Sequence, residues 1–329
     1  MTSLKYSVKD LVGVIAVIPT PVKPGSDHWA ANDVVNLEET ERAVNQLIKD
    51  GVHGVMVNGT LGEMATLTEK EWKEFVDIVI RTVANRVPVF VGATTLNTRD
   101  TIVRAKFVRE QKGYGLFLGR PMWGRLPDEG IVRFYQDVAE ALPDMAIIAY
   151  DNPEAFKGPI STEAYRKLSE IPQVIGSKYI ALTEKYESDL KAVEGRMRLL
   201  PIEADWYQAY SMAKEEALGC WSSTASCDPA PVLELFNALR RGDHEKALNL
   251  TKRIEHTYET FIARTDFKEF SNYNIALEKM RFNEAGYISA GPALPPYQIC
   301  PENYLEGARE TGRRWKALAE EIKNKASIE

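Results

Sequence analysis

Gly13-Val14-Ile15-Ala16-Val17-Ile18-Pro19-Thr20-Pro21 is an apolar, β-branched run that stops on a proline-bracketed threonine. Such a run reads as a strand buried on both faces. A doubly wound sheet normally follows its first strand with a glycine-rich phosphate loop, which Pro19-Thr20-Pro21 is not. Working outward, seven more runs of the same kind bring the candidate strands to eight, at 13–19, 54–59, 87–94, 115–121, 146–153, 174–181, 197–204 and 219–226. Amphipathic stretches separate them, as in 37–48, where Leu37, Val44, Leu47 and Ile48 recur at helical spacing. Eight strands alternating with helices predict an α/β fold closed as a (β/α)8, or TIM, barrel. Helical sequence then continues through 244–263, 267–284 and 301–325, broken by the turn-rich Gly291-Pro292-Ala293-Leu294-Pro295-Pro296. The expectation is a barrel over 1–241 and about three additional C-terminal helices over 242–329, packed on it without a low-complexity linker.

The composition narrows the function classes. Among 329 residues, 41 basic against 47 acidic side chains leave a formal charge of −6, with no polybasic run that would suit nucleic acid or an anionic membrane. The first ten residues lack the apolar core of a secretory signal, and no segment has the length of a membrane span. A cytoplasmic protein with a small-molecule partner is expected. Cys220, Cys227 and Cys300 form no C-x-x-C pair, and His28, His53, His244 and His256 show no H-E-x-x-H spacing, so neither a disulfide nor a sequence-local zinc site is expected. Chemistry carried by side chains alone, with no metal or organic cofactor, is the expectation.

In a barrel of this kind chemistry sits at the C-terminal ends of the strands. Four polar features end apolar runs: Gly59-Thr60-Leu61-Gly62-Glu63, Tyr150-Asp151-Asn152-Pro153, Lys178 and Trp221. Lys178 stands inside Val174-Ile175-Gly176-Ser177-Lys178-Tyr179-Ile180-Ala181. A buried ammonium tends to lose its proton, and the neutral amine that results is a nucleophile towards carbonyl carbon. The alternative is a strand-end lysine that snorkels to solvent or pairs with a carboxylate. The glycine-bracketed turn can offer amides and the Thr60 hydroxyl to an anion, or be a tight turn capped by Thr60. Tyr150 is either a core aromatic or, beside a neutral lysine, a proton shuttle.

The ordered trio of a G-T-x-G-E turn at Gly59–Glu63, a Y-x-x-P segment at Tyr150–Pro153 and a lysine at 178 resembles the pyruvate-dependent aldolase superfamily that includes dihydrodipicolinate synthase and N-acetylneuraminate lyase. The resemblance spans most of the chain. It implies that Lys178 forms an imine, that Tyr150 moves protons at the reacting centre, and that Thr60 with the turn around Gly59 holds the pyruvate carboxylate. It also suggests a homotetramer.

Departures from that pattern sharpen the substrate. Leu61 stands where dihydrodipicolinate synthases generally carry a second threonine, and Ala155 and Phe156 stand where they carry an arginine. Arg120-Pro121-Met122-Trp123 replaces a tyrosine-bearing turn after the fourth strand. Together with Trp221, these changes favour a flat aromatic substrate. The chain resembles most the bacterial hydratase-aldolases that act on ortho-substituted benzylidenepyruvates. That subgroup implies Asn152 at the catalytic water and Ser271 and Asn274, three apart on one helical face, at the substrate. Without it, Asn152 reads as a turn cap, Trp221 as core, and Ser271 and Asn274 as surface. The expected substrate-binding set is therefore Gly59, Thr60, Arg120, Met122, Trp123, Trp221, Ser271 and Asn274, around catalytic Lys178, Tyr150 and Asn152. Arg120 is the candidate partner for an ortho carboxylate, with a surface-pointing arginine as the alternative; the reading leans towards 2'-carboxybenzalpyruvate over o-hydroxybenzylidenepyruvate. Two rivals remain: a keto-acid lyase acting on a sugar acid, and a non-catalytic keto-acid-binding member.

Overall fold

The computed structural model describes residues 4–326. Eight strands run in parallel: β1 (Gly13–Val17), β2 (Gly54–Val57), β3 (Val89–Gly92), β4 (Gly115–Leu118), β5 (Ala146–Tyr150), β6 (Val174–Lys178), β7 (Arg198–Leu200) and β8 (Gly219–Ser222). Their order is β7-β6-β5-β4-β3-β2-β1-β8, with β1 paired to both β2 and β8. The last seam closes through a parallel bridge between Ile202 and Trp221 and the Trp221 amide, which donates to the Pro201 carbonyl at 2.9 Å. The barrel with extra C-terminal helices is thus as the sequence predicts.

The strands are shorter than the apolar runs that announce them. The run 146–153 leaves the ladder after Tyr150, and 174–181 leaves it after Lys178. Hydrophobicity persists beyond each strand because the barrel rim is covered, and the backbone there turns into the loops that carry chemistry. Helices α1 (Leu37–Asp50), α2 (Glu69–Val83), α3 (Thr98–Glu110), α4 (Asp128–Ala141), α5 (Thr162–Leu168), α6 (Lys185–Val193), α7 (Trp206–Met212) and α8 (Ala230–Arg241) follow the strands in turn. Local chemistry sets their starts: Thr68 and Glu71 form a reciprocal capping box on α2, and Asn36 caps α1. Gly92 shows how tightly strands and loops meet, since a Cβ there would lie 1.9 Å from the Asn58 carbonyl oxygen.

Three further helices, α9 (His244–Thr257), α10 (Phe267–Ala285) and α11 (Glu302–Ala326), follow among the described residues. Helix α11 packs along α10 and against α8 and α9. Helix α10 is tied to the barrel rim by buried polar bonds. Lys279 pairs with Glu63, Arg281 donates to Ser223 Oγ at 2.9 Å, and the following segment sends the Leu294 amide to Glu63 Oε1 at 2.6 Å. Those bonds hold one face of α10 over the C-terminal ends of the strands.

Candidate active site

Lys178 is the last residue of β6 and is only 7 % exposed. Among the described residues no carboxylate lies within ion-pair distance of it. Its Nζ instead sits 3.3 Å from the centre of the Trp221 ring and 4.9 Å from that of Tyr150. Burial pulls its pKa from 10.5 down to about 7, against the opposing fields of Glu278, Glu203 and Asp151. A large share of the side chain is therefore the free amine near neutrality.

Tyr150 ends the neighbouring strand, β5, and its Cα is paired with that of Lys178 across the ladder. Phe117 stacks on its ring at 4.5 Å and Phe156 meets it edge-on at 5.3 Å, which leaves the phenol one direction to point. The hydroxyl lies 2.8 Å from Thr60 Oγ1 and accepts from Asn152 Nδ2 at 3.2 Å. Asn152 is itself oriented, because its Oδ1 accepts from the Ala155 amide at 3.2 Å. Burial raises the Tyr150 pKa, only partly offset by the bonds to Thr60 and Asn152. The phenol thus keeps its proton at neutrality and can give it up or take it back along a preformed chain.

The Gly59–Glu63 turn divides its labour. Gly59 has no room for a side chain, since a Cβ would lie 2.9 Å from Phe117, and together with Thr60 and Leu61 it faces the site. Glu63 faces away and forms the buried pair with Lys279. Trp221 is fixed by its indole N–H, which donates to the Tyr179 carbonyl at 2.8 Å.

These groups meet in a cavity of about 440 Å³, lined among others by Thr60, Tyr150, Asn152, Lys178 and Trp221. An adjoining lobe of about 390 Å³ shares Thr60, Asn152 and Asn274 and adds Met122, Ser271 and Phe156. The structure therefore brings together nine of the eleven expected residues: Lys178, Tyr150, Asn152, Gly59, Thr60, Trp221, Met122, Ser271 and Asn274. It does not bring in Arg120 or Trp123. Trp123 is 88 % exposed and lines neither lobe. Arg120 is neither at the substrate space nor at the surface. It is buried, pairs with Asp151 at 3.3 Å, donates to the Gly158 carbonyl and lies over the Phe156 ring. Asp151 in turn accepts from the Ile160 amide and the Tyr165 hydroxyl, each at 3.2 Å. Arg120 thereby fastens the loop that presents Asn152 and Phe156. Its expected role as reader of an ortho carboxylate is corrected on this ground: its charge is already spent on Asp151.

Other lining residues were not anticipated. The extension supplies an aromatic wall of Tyr258, Phe261, Phe267 and Phe270, with Arg264 among them, and α10 adds Glu278. Glu278 is buried and paired with Arg281. A signal for it exists in the sequence, because Ser271, Asn274 and Glu278 recur at three- and four-residue intervals along one helical face. Nothing local marks the aromatic wall as anything but core.

The geometry sets a buried lysine with a lowered pKa beside a hydrogen-bonded Thr60–Tyr150–Asn152 chain, opening on an aromatic chamber. Residues 13–297 match the model of the dihydrodipicolinate synthetase family. The chain belongs to that family. Within it, the chain is 43 % identical to the trans-2'-carboxybenzalpyruvate hydratase-aldolase of Nocardioides sp. (strain KP7), over 97 % of both chains. It is 44 % identical to the trans-O-hydroxybenzylidenepyruvate hydratase-aldolase of Sphingobium xenophagum, over 95 % of this chain and 97 % of the relative. The solved structure of PhdJ bound to a substrate intermediate superposes with a TM-score of 0.96 at 46 % identity, covering 97 % of this chain and all of that one. At that coverage the PhdJ superposition takes in the barrel and the additional helices alike, α10 included.

Proposed function

We propose that the protein is a Schiff-base hydratase-aldolase that converts an ortho-substituted trans-benzylidenepyruvate and water to an aromatic aldehyde and pyruvate. The single observation that carries this reading is the unpaired Lys178 amine, held against Trp221 and beside the Thr60–Tyr150–Asn152 chain, at the floor of a chamber walled by aromatic rings. A sugar acid would need a hydroxyl-rich wall in that place.

The substrate carboxylate docks on the Gly59–Leu61 turn and sets the C2 ketone against Lys178. The amine adds to C2, and the carbinolamine hydroxyl, after taking a proton from Tyr150, leaves as water with cleavage of the C2–O bond, giving an iminium conjugated through C3 and C4 to the ring. Water held by Asn152 adds at C4 and passes its proton to the relay, while the electron pair of the double bond moves towards the iminium. C3 is then protonated, and the iminium is restored with a hydroxyl on C4. Tyr150 next takes that hydroxyl proton; the C3–C4 bond breaks, the aldehyde departs, and the bonding electrons settle in the lysine enamine. Protonation at C3 and attack of water at C2 release pyruvate and the free Lys178. The net stoichiometry is one water consumed for one aldehyde and one pyruvate formed. Thr60 keeps the Tyr150 hydroxyl aimed throughout.

The lean remains towards a ring bearing an ortho carboxylate. The proposal extends to a barrel unit over 1–241 carrying the extension 242–329, and to a cytoplasmic homotetramer, which sedimentation equilibrium would test. Among the described residues no helix is long and apolar enough to cross a membrane. The deciding experiment is borohydride reduction in the presence of pyruvate followed by peptide mass spectrometry. A reduced pyruvyl adduct on Lys178 is expected. An adduct on Lys157 or Lys185, or none, refutes the mechanism.

A further inference from the structure

With Arg120 bonded into the Asp151 loop, an ortho carboxylate on the substrate ring has no counter-charge from the fourth strand. The position of that ring follows from the two ends already placed. The keto-acid carboxylate occupies the Gly59–Leu61 turn and C2 is bonded to Lys178, so the ring, attached to C4 two carbons beyond C2, must lie against the remaining wall. That wall is Trp221 on the barrel side and Phe261, Phe267 and Phe270 on the extension side. An aryl face is well matched there. A carboxylate attached to it is not, because an anion desolvated against ring carbons is costly to bury without a cation to pair with.

Apart from Lys178, which the reaction consumes as an amine, Arg264 is the cationic side chain lining this cavity. It ends a short 3-10 turn (Ile262–Arg264) just before α10, and its neighbours Ala263 and Phe267 line the same wall. Its acidic partner, Glu255, stands 3.9 Å away, and both side chains are 44 % exposed. A pair so long and so wet contributes little, so exchanging it for a bidentate bond to a less solvated substrate carboxylate costs little and gains geometry. Asp205 also lines the chamber, tied to the Leu182 amide at 3.3 Å. It would repel an ortho carboxylate unless a guanidinium stood between them, whereas an ortho hydroxyl could donate to it directly.

We infer that Arg264 is the specificity-determining residue that reads the ortho substituent, and that it fits this chamber to a ring bearing a carboxylate. The inference rests on the hydratase-aldolase reading, and one set of measurements separates the two. Steady-state kinetics are compared for 2'-carboxybenzalpyruvate and o-hydroxybenzylidenepyruvate with the wild type, Arg264→Gln, Arg264→Lys, Asp205→Asn and Lys157→Gln. Loss of a charge-assisted bond predicts that Arg264→Gln lowers kcat/KM for the carboxylated substrate, relative to the hydroxylated one, by roughly 10–100-fold, mainly through KM. Arg264→Lys, which keeps the charge without the planar fork, should recover part of that ratio. Asp205→Asn should move the ratio the other way by removing a like charge. An unchanged ratio in Arg264→Gln overturns the inference while leaving the activity standing. So does a selective loss in Lys157→Gln, which would place the ring in the adjoining lobe, or a selective loss of the hydroxylated substrate in Asp205→Asn without any effect at Arg264. A wild type that cleaves neither substrate defeats the functional reading itself, and Arg264 with it.

Discussion

Two lysines are buried among the described residues, and they have opposite neighbourhoods. Lys279, on α10, is 1 % exposed; it pairs with the buried Glu63 and donates to the Pro292 carbonyl at 2.8 Å. Lys178, at the end of β6, is nearly as buried and has rings around it instead of a carboxylate. Burial lowers the pKa of both, but at Lys279 the Glu63 charge pulls back directly, whereas at Lys178 the opposing carboxylates act from beyond contact. The partner, more than the depth, separates a structural cation from a nucleophile. One lysine holds the rim helix to the barrel, and the other is held with a lowered pKa, as the proposed nucleophile requires.

The comparison is broken most forcefully at Lys178. Lys178→Met should abolish borohydride trapping and turnover together. It should also raise the melting temperature at pH 7. A lysine whose folded pKa is about 7 instead of 10.5 binds its proton more tightly when unfolded, so between those values it detracts from stability, increasingly as pH falls. The stabilisation in Lys178→Met should therefore be large near pH 7 and shrink as pH approaches 10.5. A variant that melts lower at pH 7 would mean that the lysine is not held as a strained neutral amine.

Tyr150→Phe comes next. Its ring is packed between Phe117 and Phe156, so the fold should survive while turnover falls by roughly 10²–10⁴, the contribution of a positioned acid-base group. Single-turnover measurements with quenched aldehyde detection would resolve the step. A loss below about tenfold on the same principle would move the proton relay to another residue.

At Lys279 the expected sign of the stability change is the reverse of that at Lys178. Lys279→Met leaves the Glu63 carboxylate buried without its ion-pair partner and should cost about 3–5 kcal/mol in denaturant unfolding. Adding Glu63→Gln should recover much of it, and pyruvate should still be trapped on Lys178 in the folded fraction. Arg120→Leu belongs to the same class, because it strands Asp151. It should lower kcat/KM for carboxylated and hydroxylated rings alike through the loop bearing Asn152. A selective effect on the carboxylated ring would return Arg120 to the substrate.

What the sequence discloses follows the same division. Strands are legible because each is a short β-branched run buried on both faces, and Lys178 and Tyr150 stand out as polar interruptions at the ends of such runs. The strand ends overshoot because the rim is as apolar as the ladder. Arg120 and Trp123 follow the fourth strand just as Met122 does, and linear order does not say which of these loop side chains turns inward. Asp151, which captures Arg120, is 31 positions away. The aromatic wall is less legible still: Phe261, Phe267 and Phe270 lie more than eighty residues after Lys178 and read as ordinary core, and long-range bonds such as those of Lys279, Arg281 and Leu294 to the barrel rim carry them over its mouth. Glu63 shows the converse, a motif residue whose work is structural.

The smallest expected effect is the sharpest test of how Lys178 is tuned. With a pKa of about 7, the amine fraction rises as pH passes through neutrality, so the rate of imine formation with pyruvate should climb through pH 7 and then level off. Tyr150 should not cut the plateau short, because burial lifts its pKa above the ordinary phenol value of 10. Of the charges that oppose burial at Lys178, Glu278 is the largest and is the one that shares its cavity. Removing that negative charge weakens the ammonium form. Glu278→Gln should therefore move the midpoint of the imine-formation profile to lower pH and leave its plateau available to measure at pH 8. The iminium loses the same stabilisation, so the equilibrium fraction of trapped pyruvate should fall even as the amine becomes freer. Stopped-flow trapping across pH 5–9 reads both quantities in one experiment. A midpoint that stays fixed would assign the tuning to desolvation by Trp221 and Tyr150 alone, and an upward move would contradict the sign of the Glu278 field.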